Sequence, residues 1–219
     1  MASKAPAGPT SESEAKAPPV KRGRGRPPIP PEVARARLVD AAERCFERES
    51  YFKVGVLDIV SEAQMSSRSF YQHFDAKIDV VLAITEARAE AYIQKLERAA
   101  DEATTILEGV ELALTGFLED LPLVVLELRG AGGPDGERMR ELLDRYRPRM
   151  GATFLKEFAR AMQEGLVETI PDPMSVLIVV YGIESLVTQS LRGPNRREAM
   201  LALKPQILAA TRKLFPEWL

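Results

Sequence analysis

Cysteine and histidine are nearly missing from this chain. Its 219 residues include one of each, Cys45 and His73. A single thiol excludes an internal disulfide framework and any cysteine-based zinc module. A single imidazole argues against a His-rich metal site. The N-terminus lacks an apolar h-region, so no secretory leader is expected. Long apolar runs are missing too. The longest, residues 176–181, falls far short of the roughly 20 residues of a membrane span, and no membrane partner is expected. Hydrophobic residues make up 45% and charged residues 28%, enough to bury a real core in one large domain or two small ones. These absences leave a cytoplasmic protein expected to use neither metal nor cofactor.

Excess positive charge is confined to one end. The whole chain has a net charge of -2, yet residues 1–31 hold six cations against two anions. Residues 32–86 and 87–219 are each net acidic. The first 30 residues are mostly Ala, Pro, Ser, Gly and Lys. They offer too little apolar surface to offset chain entropy, so they are read as a disordered basic arm. Within the arm, Lys21, Arg22, Arg24 and Arg26 are spaced by glycines and followed by Pro27 and Pro28. Glycine keeps this ribbon narrow and proline keeps it extended. A narrow ribbon of guanidiniums suits the minor groove of A·T-rich DNA, where the negative potential is deepest. The alternative is a solvated linker. Residues 21–28 also resemble an AT-hook.

After Pro31 the pattern becomes helical. Leu38, Ala41, Ala42, Cys45 and Phe46 form one buried stripe. On that stripe Cys45 is a small core residue and not a reactive thiol. Residues 50–55 break the period, and Gly55 can cap the next helix. That helix buries Val56, Ile59, Val60 and Ala63. Gln64-Met65-Ser66 interrupts it, and a third helix from about residue 67 to 74 turns Phe70 and Phe74 inward. Two short helices joined by a tight turn make a helix-turn-helix. The second of them presents Ser67, Arg68, Tyr71 and Gln72 outward, as entry into a major groove requires.

Residues 35–82 resemble the DNA-binding domain of TetR-family transcriptional regulators. The resemblance rests on Arg37-Leu38-Val39-Asp40-Ala41-Ala42 with Cys45-Phe46, on Asp58-Ile59-Val60-Ser61-Glu62-Ala63, and on the run from Ser66 to Lys77 with its Phe-Tyr-X-His-Phe-X-X-Lys signature. The sequence departs from the family pattern at Gln64, where Gly is usual, and at Gly55, where Thr or Ser is usual. The resemblance implies an all-α fold: a three-helix DNA-binding domain over residues 31–77 and a helical effector-binding and dimerisation domain over 78–219. It implies that Ser66 and Ser67 cap the recognition helix and hold a phosphate. Arg68 and Ser69 would meet base edges or phosphates, Tyr71 and His73 would line the groove and backbone, and Lys77 would contact phosphate. The implied partners are double-stranded DNA, a second copy of the chain paired through the last two long helices, and a small-molecule effector.

The remaining two-thirds reads as helices at about 78–103, 106–121, 136–164, 174–191 and 196–215, the last broken near Pro205. Residues 174–191 are apolar nearly all round at first, so burial on more than one side is expected. Polar groups set among apolar helices are the candidates for orienting a ligand: Tyr146, Tyr181, Glu184, Thr188 and Gln189, with Phe117, Phe154 and Phe158 as walls. The alternatives are ordinary core for the aromatics and a dimer interface for the polar three. Residues 121–128 could form a strand before the glycine-rich 130–136, as in a nucleotide-binding enzyme. The spacing fails there, since Asp135 stands where G-x-G-x-x-G needs glycine and no Gly-Lys-Ser/Thr end follows. No nucleophile–base pair is present, so no catalytic residue is assigned. The reading is a ligand-released repressor at a palindromic operator, on a hydrophobic ligand. An architectural A·T-rich DNA binder without effector is the alternative, and a nucleotide-dependent enzyme a remoter one.

Overall fold

The computed structural model describes residues 29–103, 105–165, 172–191 and 195–214. The basic arm with Lys21, Arg22, Arg24 and Arg26 lies outside them. Among the described residues there are ten helices and no strand. They are α1 (Pro31–Arg48), α2 (Val56–Glu62), α3 (Ser67–Tyr71), α4 (Lys77–Glu102), α5 (Ile106–Asp120), α6 (Leu123–Arg129), α7 (Gly133–Gln163), α8 (Pro173–Ser190), α9 (Arg196–Leu201) and α10 (Lys204–Leu214). The all-α expectation holds.

The start of each helix follows from local chemistry. Pro31 opens α1, where a missing N–H costs nothing. Asp58 accepts the N–H of Gly55 at 2.8 Å before α2, and the Ser66 hydroxyl accepts from the Ser69 N–H at 3.1 Å to cap α3. Residues 123–129 form α6 and not a strand. Their apolar side chains are buried on nearly every side, which is why the sequence shows no helical period there. The glycine-rich stretch continues directly into α7. Gly133 has φ +80, and a Cβ on Gly136 would lie 2.2 Å from the Ala131 carbonyl oxygen, so this close approach requires glycine.

A single core runs from the N-terminal helices into the body. Leu38, Phe46, Ile59, Phe70 and Ile78 pack in one cluster with Val124, Val125 and Leu128 of α6 and Met139 of α7. A second cluster joins Leu118, Leu126, Val187, Met200 and Ile207. The α6 helix contributes to both. Two consecutive arginines on α9 then tie the C-terminal part to α1. Arg196 pairs with Glu127 and donates to the Phe46 carbonyl at 2.9 Å. Arg197 pairs with Glu47 and donates to the Leu118 carbonyl at 3.0 Å, near the end of α5.

The expectation for α8 is corrected. Met174 is 61% and Ile178 65% exposed, and Leu177, Tyr181 and Leu186 are exposed as well. The apolar character of this helix serves a surface. By length and composition α8 would suffice to cross a membrane, yet Val187 is fully buried in the second core cluster and Glu184 pairs with Arg129 of α6.

The start of α4 is tied to α7 by one acid. Asp79 accepts the Ala76 N–H at 2.7 Å and pairs with Arg138 at 2.5 Å. Burial alone would raise its pKa, but these donors together hold it below the ordinary aspartate value. The stability it contributes is therefore present above that ordinary value and is lost as pH falls through the depressed one. Asp79→Asn keeps an acceptor for Ala76 and loses the ion pair. The variant should be about 1 kcal/mol less stable at pH 7, with the difference from wild type shrinking as pH falls below the ordinary aspartate range. Urea unfolding at both pH values measures this.

Candidate functional site

The outward surface of α3 and its flanks is polar and rigidly backed. Phe70 and Phe74 are buried, with ring centroids 5.5 Å apart, and Met65 in the preceding turn packs against the same core. Gln64 has φ +54, a left-handed conformation that the usual glycine would adopt without strain. On the other face Arg68, Tyr71 and Gln72 are exposed, and Ser67 and His73 are partly so. Among the described residues Arg68 has no ion-pair partner. Tyr71 stands edge-on to Phe70 at 5.4 Å while 56% of its surface stays open. The Ser69 hydroxyl lies 3.1 Å from that of Ser66, so both serines are engaged in the cap.

Lys77 is placed differently from the sequence expectation. Its ammonium donates to the carbonyls of Tyr51 at 2.6 Å and Val54 at 2.8 Å. It also sits 3.9 Å from the centroid of the Tyr51 ring. Burial holds its pKa below the ordinary lysine value. The side chain fastens the α1–α2 connection to the start of α4.

That connection is also held from below. Glu127 of α6 accepts the Tyr51 N–H at 2.8 Å and the Ser50 hydroxyl at 3.2 Å, besides its pair with Arg196. The Tyr51 hydroxyl donates to Asp135 of α7 at 2.6 Å. Asp135, which disqualified the phosphate-loop reading, is thus an acceptor for the α1–α2 connection. None of these ties was visible in the sequence, because the partners are 76 to 84 residues apart.

Below α6 lies a cavity with two lobes of about 140 and 120 Å³. Tyr92, Phe117, Met150, Val180 and Glu184 wall both. Among the expected residues, Phe117, Tyr146, Tyr181 and Glu184 line the larger lobe, and Phe158 lines the smaller. Thr188 is not a lining residue; its hydroxyl donates to the Glu184 carbonyl within α8 at 2.7 Å. The side chain of Phe154 lies outside the described residues. Tyr92 was missed because it sits in the charged half of α4. Its hydroxyl donates to the Ala113 carbonyl at 3.1 Å, and burial raises its pKa. Arg129 and Arg147 were missed as well, as surface-type residues on unrecognised inward faces.

Comparison with known proteins defines the class. Residues 38–84 match the family described as bacterial regulatory proteins, tetR family. Residues 38–84 thus resemble the DNA-binding domain of that family, and the body is similar in fold to solved members of it. It is 24% identical over 91 residues to the HTH-type transcriptional activator FasR of Mycolicibacterium smegmatis, a match that spans 42% of this chain and 42% of that relative. The transcriptional regulator FadR from Bacillus subtilis, solved with stearoyl-CoA, superposes with TM-score 0.61 at 18% identity, covering 80% of this chain and 95% of that one. A TetR-family transcriptional regulator from Pectobacterium atrosepticum gives TM-score 0.59 at 22% identity, covering 86% and 95%. At these identities the two structures share a fold with this chain.

The placement of Lys77 is testable. Lys77→Met should lower stability by about 1–3 kcal/mol, because two carbonyls lose their donor. The salt dependence of DNA binding should stay unchanged, since no phosphate contact is removed. A slope shallower by about one phosphate contact, at unchanged stability, would contradict the inward placement.

Proposed function

We propose that this protein is a homodimeric transcriptional repressor, acting in the cytoplasm on a palindromic operator and released by a small hydrophobic ligand. The observation that carries the reading is the position of α6, which lies between the cavity and the α1–α2 connection that Lys77 fastens to the start of α4. Glu127 holds the α1–α2 connection, while Val125, Leu126 and Arg129 wall the larger lobe. A ligand that favours another position for α6 acts on the head through Glu127. Two recognition helices then cease to match successive major grooves, roughly 34 Å apart.

The division of labour follows the sequence reading. Residues 31–77 bind DNA, with Arg68 and Ser69 at base edges or phosphates, Tyr71 and His73 toward the groove and backbone, and Ser66 and Ser67 capping the recognition helix at a phosphate. Residues 78–219 bind the effector and the second copy. The exposed apolar side chains of α8, Met174, Leu177, Ile178, Tyr181 and Leu186, supply the kind of surface a second copy covers, together with α10. The arm, with Lys21, Arg22, Arg24 and Arg26, adds minor-groove contacts beside each recognition helix.

Selection from random duplex DNA tests this, using the full chain and a form lacking residues 1–30 at two salt concentrations. Both forms should select the same inverted repeat, the shorter one more weakly and with a shallower salt slope. Arg68→Ala should lose about tenfold or more on the selected site. Selection of A·T-rich sequences without symmetry, lost with the arm, would instead establish the architectural reading. Transcription from the selected site in vitro distinguishes repression from the activation named in the M. smegmatis relative.

A further inference from the structure

The cavity has a charged end whose balance is uneven. Arg129 of α6 and Arg147 of α7 both lie over the ring of Tyr181, with guanidinium carbons 6.0 and 5.5 Å from its centroid. Both act on one carboxylate, Glu184. Arg147 has a second partner in Asp144, one turn away on its own helix. Asp144 is largely exposed to water, where such a pair is weak. The other charged walls, Arg88 and Asp120, are paired elsewhere, with Glu43 and Lys95. Of the two carboxylates paired with these guanidiniums only Glu184 is buried, so Arg147 is balanced from the solvent side alone.

The carboxylate does not use up its neighbours. Glu184 pairs with Arg129 through Oε2, and no ion pair joins it to Arg147 among the described residues. Burial raises the Glu184 pKa, against the opposing pull of Arg129 and Arg147. A guanidinium carries five donors in a planar fork suited to a carboxylate. Away from this end the walls turn apolar, through Phe117 to Val110, Leu114, Phe158 and Ile183.

Resting on the ligand-responsive reading above, we propose that the cavity takes an amphipathic anion. Its carboxylate is held by Arg129 and Arg147 beside Tyr181, and its apolar tail runs past Phe117 toward Phe158. A cationic lipophile would face two guanidiniums with only Glu184 to receive it. A neutral one would leave Arg147 with its exposed partner Asp144 alone. The headgroup also lands on α6, two residues beyond Glu127.

The test uses the full-length protein and three probes with one tail: decanoate, decanamide and decylammonium. Calorimetric titration should rank decanoate first, about tenfold tighter than the amide, as charge-assisted hydrogen bonds replace neutral ones. Arg129→Gln should abolish that preference. Arg147→Gln, at a more exposed position that leaves the α6–α8 pair intact, should reduce it severalfold. Equal binding of all three probes overturns the headgroup assignment, as does tightest binding of decylammonium that is lost in Glu184→Gln. Binding of none of them also overturns it. The same samples are assayed on the selected duplex. Arginine-dependent decanoate binding in a protein that selects no operator would leave the headgroup assignment standing and sink the regulator reading. Operator binding with no probe preference would do the reverse.

Discussion

Glu127 is the point on which the rest of the structure depends. One carboxylate receives the Tyr51 N–H, the Ser50 hydroxyl and the Arg196 guanidinium, and thereby joins the α1–α2 connection, α6 and α9. The Glu127–Arg196 pair is mostly buried on both sides. Removing either partner from such a pair costs about 3–5 kcal/mol, because the other charge is left uncompensated. Arg196 then carries the tie onward to the last carbonyls of α1 through Phe46. α6 is seven residues long and contributes to both core clusters. A packed element of that size shifts as a unit rather than bending. What displaces its cavity wall displaces its hold on the head.

The recognition helix has only five residues, too few to be stable by themselves. Its order is borrowed from its surroundings. Phe70 and Phe74 anchor it from within, Ser66 caps its start, and Met65 plugs the turn. The turn itself holds Gln64 in a left-handed conformation that costs about 1–2 kcal/mol in a residue with a Cβ. Lys77 and Asp79 then fix the beginning of α4 against the α1–α2 connection and α7. With the aromatics turned in and the lysine committed to carbonyls, the outward face is left to Arg68, Tyr71 and Gln72.

The head was legible because its signals are local. The stripe from Leu38 to Phe46, the Ser66 cap and the inward Phe70 and Phe74 all lie within a few residues of one another, and helical period and capping chemistry report them directly. The break near Pro205 was legible for the same reason. The tie made by Lys77 was not legible, because its carbonyl partners are 23 and 26 residues back. α6 escaped notice because burial on nearly all sides erases the period that marks a helix. The face of α8 was misjudged for a related reason: apolar composition states that a surface avoids water without stating what covers it. In the cavity, aromatic walls such as Phe117 and Phe158 stood out by composition. Arg129 and Arg147 did not, since only the packing of α6 and α7 against α8 turns those guanidiniums inward.

The central claim is that α6 couples the cavity to the DNA-binding head. Amide hydrogen exchange at Tyr51, whose N–H is bonded to Glu127, reads that coupling directly. Exchange is compared in wild type with and without saturating decanoate, and in Glu127→Gln. The account predicts slow exchange in the free wild type, and faster exchange on adding decanoate, approaching that of the variant. Decanoate binding that leaves the Tyr51 amide as protected as before would contradict it.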